Sequence, residues 1–432
     1  MKKLFLLSFI LLSCLLPLNA QKAATAAKLD STTAGLRRQS FDKVWNTINE
    51  KHFDPTFGGV DWLKMRGVYE PQAKAAKTDA DFNTVLNRML GELKLSHFLV
   101  YSPIPAVENA KTVSGVTGIK LKWIDNQPVV SSISVNSTAA QTGIKTGFVI
   151  TKINGKTTAQ LLAPFEKSTA GGNFSEAKKN LYREYVLQSL MDGDAAVKVA
   201  FEALDGKNQT QTFELARVEQ KSEMSPAVGN FPSQEVVFEA KVLENNIGYV
   251  RFNIWVIPQM PKIREAIRTM RDASGIVFDL RGNPGGVGGM APGIAGFLSD
   301  KQMSLGTMKS RENETKFIAY PQTAPYPGKV VVITDGGSGS TSEVFAAGMQ
   351  ENGRAIVVGE RSAGQILLSL FDTLPTGAIF QYAISDYKSP KSILIEGRGV
   401  IPDVEVKTTR RTLLEGRDAP LEEAVRQITK EK

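Results

Sequence analysis

The chain has 432 residues, 42% of them hydrophobic and 22% charged, with a formal net charge of +8. That is the balance of a soluble globular protein, and the length implies about three domains. The basic residues are scattered, with no stripe of Lys and Arg interleaved with aromatics, which excludes an ordinary nucleic-acid surface.

The N-terminal segment "MKKLFLLSFILLSCLLPLNAQ" has a basic start, an apolar run and a small residue at Ala20. This is a secretory signal pattern with cleavage expected after Ala20, giving a secreted or periplasmic protein. The alternative is lipidation at Cys14, since "LLSC" resembles a lipobox; only then is a membrane partner expected. Cys14 is the only cysteine, so cleavage after Ala20 leaves no disulfide, thiolate nucleophile or Cys-rich metal site.

Residues 21–36 are small and polar and read as a linker. Residues 37–105 carry apolar side chains at helical spacing. Phe41, Val44, Trp45 and Ile48 form one face, and Phe82, Val85, Leu86, Met89 and Leu90 another. This small helical N-terminal domain ends at "SHFLVYSP", a turn into a short strand. Residues 113–217 change to short alternating strands with "NGK" and "DGK" hairpin turns. One helical segment, "FSEAKKNLYREYVLQSLM", interrupts them. In residues 235–432 buried strands alternate with helices, an α/β layer architecture.

Active sites of open α/β sheets gather at the carboxyl ends of strands. Two glycine-rich turns are expected there. The first, "FDLRGNPGG", places glycines where backbone N–H groups approach a ligand closely. The second, "GGSGSTSEVF", offers Ser338, Ser340 and Ser342 ahead of a helix. Ser340-Thr-Ser-Glu343 is also a capping box, in which Ser340 simply caps that helix. Neither turn has the GxxxxGK[ST] pattern of a nucleotide phosphate loop. A serine nucleophile needs a base, and the chain has two histidines. His52 reads as a structural helix-terminal residue, while His97 lies where a helix yields to a turn.

Together these motifs resemble the C-terminal processing, or tail-specific, serine peptidases. "FDLRGNPGG" is similar to that family's D-x-R-x-N-x-G-G turn, and "GSGSTSE" to its S-x-S-E helix start. "GVTGIKLKW…GIKTGFVITKINGK" resembles the PDZ domain these enzymes carry. The resemblance implies a multidomain α/β protein: a helical N-terminal domain, a PDZ-like β-rich domain and a ClpP/crotonase-like α/β catalytic core. It makes Ser340 the nucleophile. Most bacterial members pair that serine with a lysine 25 residues on, where this chain has Gln365. The tricorn-like branch instead uses Ser–His, and "Ser96-His97" matches its dipeptide. "IEGRGVIPDVEV" matches its late segment, placing the orienting glutamate at Glu396. The resemblance puts the oxyanion hole at Gly285 or Gly286 together with Thr341. The PDZ loop at Thr117, Gly118 and Ile119 is expected to hold the terminal carboxylate of an extended tail. Phe148 stands where the family commonly has Gly-Asp, and "KLS" replaces the commoner acidic run before the histidine.

The expected activity is hydrolysis of polypeptide tails with a free C-terminus through a Ser340 acyl-enzyme, with no metal or other cofactor. Two alternatives stay open: an inactive peptide- or ligand-binding protein on the same scaffold, marked by Gln365, and an α/β enzyme of thioester or glycan metabolism. Lys388 and Lys391 are the lysines expected nearest the site.

Overall fold

The computed structural model describes residues 32–101, 114–169, 176–219, 223–227, 231 and 233–430. The signal segment and Cys14 lie outside the described residues. The first helix, Thr33–Lys51, is capped by Thr32, whose hydroxyl accepts the Gly35 N–H. Its Phe41, Val44 and Ile48 are buried at one face. The helix Asp79–Gly91 starts on a Thr78–Asp81 capping box and buries Phe82, Val85, Leu86, Met89 and Leu90. These helices share one core with Leu367, Leu374, Phe380 and Tyr382 from the far end of the chain.

The short strand Leu99–Tyr101 fixes the segment that precedes it. Asn87 grips its middle residue twice: Oδ1 accepts the Val100 N–H at 2.7 Å, and Nδ2 donates to the Val100 carbonyl at 2.8 Å. The strand pairs antiparallel with Ile379–Lys388, which continues to Met303–Lys309 and Glu314–Ala319; Leu368–Thr373 pairs on its other edge. Ser96 and His97 are thereby tied to the C-terminal half.

The second large sheet runs Phe238–Leu243, Ile247–Phe252, Gly275–Asp279, Lys329–Thr334, Ile356–Gly359, Val404–Glu405. Its first pair is antiparallel and the rest are parallel. Every residue of Gly275–Asp279 is buried. The reason is cover on both faces. Helices Gln259–Thr269, Met290–Ala295 and Thr341–Glu351 contribute Ile263, Ile294 and Phe345 to one side, and the C-terminal helix Ala419–Thr429 contributes Ala424 and Ile428 to the other.

Residues 119–216 form a third unit. Its sheet runs Ile119–Ile124, Gln127–Ile133, Val149–Ile153, Lys198–Leu204, Thr210–Ala216, with helices Thr158–Thr169 and Glu176–Met191 beside it. Phe148 is buried in this unit's core, its ring 6.5 Å from that of Phe213. Its presence in place of Gly-Asp is therefore a packing feature. The unit is fastened to the rest at two places. Arg410 donates to the carbonyls of Gly147 at 2.9 Å and Asp205 at 2.7 Å. Lys122 reaches Asp335 at 3.1 Å and Glu360 at 3.2 Å.

Candidate active site

The "FDLRGNPGG" turn follows the central strand Gly275–Asp279. Asp279 is fully buried and accepts side-chain hydrogen bonds from two residues. Arg281 donates from Nε at 2.9 Å and from Nη2 at 2.6 Å, and the Tyr249 hydroxyl donates at 2.8 Å. Burial opposes ionisation, yet the Arg281 guanidinium outweighs it and holds the carboxyl down at about 2. Arg281 also reaches Asp418, which caps the C-terminal helix. Asp279 and Arg281 thus hold the turn in place. Asp279→Ala takes from the Arg281 guanidinium its buried partner, leaves it only Asp418, orphans the Tyr249 hydroxyl, and is expected to cost up to about 3–5 kcal/mol. Urea unfolding, with slope and midpoint both recorded, measures that loss.

Beyond Arg281 the turn runs to two glycines with left-handed φ. A Cβ on Gly285 would sit 2.5 Å from the Ser340 Cβ and 2.9 Å from the Thr341 nitrogen; one on Gly286 would sit 2.2 Å from the Trp255 carbonyl oxygen. Only glycine allows the two turns to meet this closely. The Gly285 N–H is already taken by Asn283 Oδ1 at 3.0 Å. Among the described residues, the Gly286 and Thr341 N–H groups have no hydrogen-bond partner. Of the two glycines, Gly286 is the one with a donor to spare.

The three serines of the second turn part ways in the structure. Ser338 Oγ donates to the Leu280 carbonyl at 2.8 Å and accepts the Asp335 N–H at 3.0 Å. Ser342 Oγ donates to the Asn283 carbonyl at 2.9 Å and accepts from Trp255 Nε1 at 2.8 Å. Both are fully buried. Ser340 is partly exposed, with φ 52° and ψ −116°, a strained backbone for a residue with a side chain. The capping box is met through Glu343, whose Oε2 accepts the Ser340 N–H at 3.0 Å. The Ser340 side chain faces the Glu343 N–H in this box without a capping hydrogen bond.

Glu343 is fully buried beneath this turn. Its carboxylate accepts from the Ser362 hydroxyl at 2.5 Å, Gly364 N–H at 2.7 Å, Gln365 N–H at 2.9 Å and the Ser340 N–H. Burial pushes it up to about 7 against those four donors. The Gln365 carbonyl in turn accepts the Ser340 N–H at 2.7 Å. So the residue standing in the lysine's place holds the turn with its backbone.

The next residue joins this turn to Glu396. Ile366 donates its N–H to Glu396 Oε2 at 3.1 Å. Glu396 Oε1 accepts the Ser96 N–H at 2.6 Å, and Oε2 accepts from the Ser96 hydroxyl at 3.0 Å. Ser96 Oγ lies 2.6 Å from His97 Nδ1. With the Ser96 hydroxyl donating to Glu396, Oγ accepts from His97 Nδ1–H, and Nε2 is left with a lone pair. Burial pushes His97 down to about 3, and the Lys178 charge adds to that, so the imidazole is neutral. Burial also raises Glu396. His97 has φ 60°, a second strained position in the same constellation.

Lys178, on the helix Glu176–Met191, escapes detection in the sequence. Its charge bears on both His97 and Glu396. The sequence marks its stretch as helical but not the docking of the unit that carries it. Lys391, by contrast, lies beside Glu351 at the far end of the Thr341–Glu351 helix from Ser340, and Lys388 is exposed. His52 caps the first helix and is buried, its Nδ1 facing the Asp54 backbone and its ring stacked on Phe53 and Phe98.

With this geometry in view, the comparisons are specific. Residues 246–406 match the model of peptidase family S41, and residues 36–91 match the tricorn protease C1 domain. The chain carries a family S41 peptidase domain. It is a serine-type peptidase. The peptidase is 24% identical over 396 residues to the chloroplastic C-terminal processing peptidase of Tetradesmus obliquus, covering 88% of this chain and 80% of that one. It is 24% identical over 413 residues to a tricorn protease homolog of Streptomyces coelicolor, covering 90% of this chain and 32% of the homolog. Its fold is similar to the photosystem II D1 C-terminal processing protease, with TM-score 0.55 and 21% identity over 87% of this chain and 97% of that one. It is also similar to mature CPAF complexed with lactacystin, with TM-score 0.60 and 12% identity over 91% and 98% of the two chains.

Proposed function

We propose that the peptidase cleaves polypeptides through a Ser340 acyl-enzyme, with His97 as general base. The observation that carries this reading is the Glu396–Ser96–His97 chain of contacts, which leaves Nε2 as a proton acceptor. In the reaction, His97 Nε2 takes the Ser340 proton as Oγ attacks the scissile carbonyl. The Gly286 and Thr341 N–H groups receive the oxyanion. Glu396, acting through Ser96, stabilises the imidazolium, which then protonates the leaving amine. Water repeats the sequence and releases the acid.

The substrate class we infer is protein tails with a free C-terminus. The similarity to C-terminal processing peptidases supports it. So does the unit of residues 119–216, which we read as PDZ-like, with Thr117, Gly118 and Ile119 at the carboxylate end of its groove. We place the enzyme outside the cytoplasm on the strength of the N-terminal signal pattern.

A fluorophosphonate probe tests the reading, since it reacts with activated serines alone. The full chain is expected to be labelled and the Ser340→Ala chain is not. An unlabelled wild-type chain would instead mark an inactive binding protein.

A further inference from the structure

Among the described residues, the strand Ile119–Ile124 ends its sheet, and one of its edges has no neighbouring strand. Such an edge presents unpaired peptide groups to any extended chain. Here those groups are already in use. The Trp123 N–H donates to Glu184 Oε1 at 2.7 Å, and the Leu121 N–H donates to Gln188 Oε1 at 3.0 Å. Gln188 Nε2 donates to the Ile119 carbonyl at 2.9 Å. At the start of the strand, the Thr117 N–H faces Asp192 Oδ1 at 3.4 Å.

Glu184, Gln188 and Asp192 are spaced four residues apart, so they share one face of the helix Glu176–Met191 and its immediate end. Gln188 is central. Its carboxamide pairs with the N–H of one strand residue and the carbonyl of another two positions away, as the N–H and C=O of one residue in an added parallel strand would. Gln188 Nε2 also donates to Asp192 Oδ2 at 2.8 Å, which fixes the amide's orientation. The Trp123 partner is held from the other side as well. Glu184 lies among Lys122, Asp335 and Glu360, the ion cluster that fastens this unit to the catalytic core.

We propose that the helix Glu176–Met191 acts as a built-in competitor for the Ile119–Ile124 edge, and that a C-terminal tail binds there only by displacing Glu184 and Gln188. The inference rests on the tail-binding reading above and adds to it the groups that oppose binding. Strand addition draws its affinity from main-chain hydrogen bonds. A tail that gains bonds to Leu121 and Trp123 must first break equivalent bonds, so its net gain is small until those side chains are gone.

The test measures binding apart from chemistry. The full chain carrying Ser340→Ala is titrated against a fluorescent peptide with a free C-terminal carboxylate, and against the same peptide amidated. Glu184→Ala/Gln188→Ala is expected to bind the free-carboxylate peptide about tenfold more tightly than its parent, the equivalent of roughly one net hydrogen bond. Gln188→Glu, which keeps the acceptor for Leu121 and loses the donor to Ile119, is expected to fall between them. Thermal unfolding of each variant checks that the fold is retained. Equal or weaker binding by the folded double variant would overturn the competition while leaving tail binding intact. Failure of every variant to bind, or equal binding of the amidated peptide, would overturn the tail-binding reading and the competition with it.

Discussion

Ser340→Ala is expected to lower turnover by about 10⁴- to 10⁶-fold, the usual consequence of losing a nucleophile that acts with a base as one unit. Ser338→Ala and Ser342→Ala are expected to keep the chemistry and lose stability. Each removes a buried hydroxyl with two hydrogen bonds; the Leu280 and Asn283 carbonyls keep the Asn283 and Gly339 N–H groups, but the Asp335 N–H in one variant and Trp255 Nε1–H in the other lose their acceptor. That costs about 1–3 kcal/mol per unsatisfied group. Burst amplitude with an activated ester substrate, read beside urea midpoints, separates the two kinds of loss. A dead but fully stable Ser342→Ala would move the nucleophile by two residues.

His97→Ala is expected to be nearly as damaging as Ser340→Ala, and the double variant little worse than either, because the pair fails together. The pH dependence carries a sign. The base must be neutral to take the proton. Burial and the Lys178 charge lower the His97 pKa, so the imidazole stays neutral well into acid. The limb belonging to His97 is therefore expected below 6.5, the ordinary value. A second limb belongs to Glu343, pushed up to about 7: as pH falls it takes a proton and gives up acceptor capacity beneath Ser340. A limb near neutrality that persists in His97→Ala is the mark of Glu343. Glu396→Gln keeps the carboxylate's shape and removes the charge opposite imidazolium, so it is expected to impair turnover by less than His97→Ala does.

Much of this constellation is legible in the sequence, for local reasons. The S-x-x-E spacing and the glycines of "FDLRGNPGG" are short-range patterns, and the turns they specify meet where Gly285 touches Ser340. The strands Gly275–Asp279 and Lys329–Thr334 are legible because both faces are covered and their runs are continuously apolar. The antiparallel sheet built on Ile379–Lys388 is not visible in the same way. Its strands come from residues as far apart as Leu99 and Thr373, and no local pattern pairs them. The N-terminal helices show their apolar faces in the sequence but not what covers them, which includes Phe380 and Tyr382. Lys178 was hidden for a related reason: it enters the neighbourhood of His97 only through the docking of a unit held by Arg410 and Lys122. At Gln365 the sequence shows the loss of a lysine, while the backbone contacts to Ser340 and Glu343 appear only in three dimensions.

The assignment of His97 as the base is tested most directly by the single-turnover rate of Ser340 acylation across pH, in the wild type and in His97→Ala, with Lys388→Ala and Lys391→Ala as controls. Expected are a fast wild-type reaction whose His97 limb lies below 6.5, a reaction slowed by several orders of magnitude in His97→Ala with that limb gone, and wild-type rates in both lysine variants. A His97→Ala chain that acylates at the wild-type rate, or a dead Lys388→Ala, would contradict the Ser340–His97 pairing.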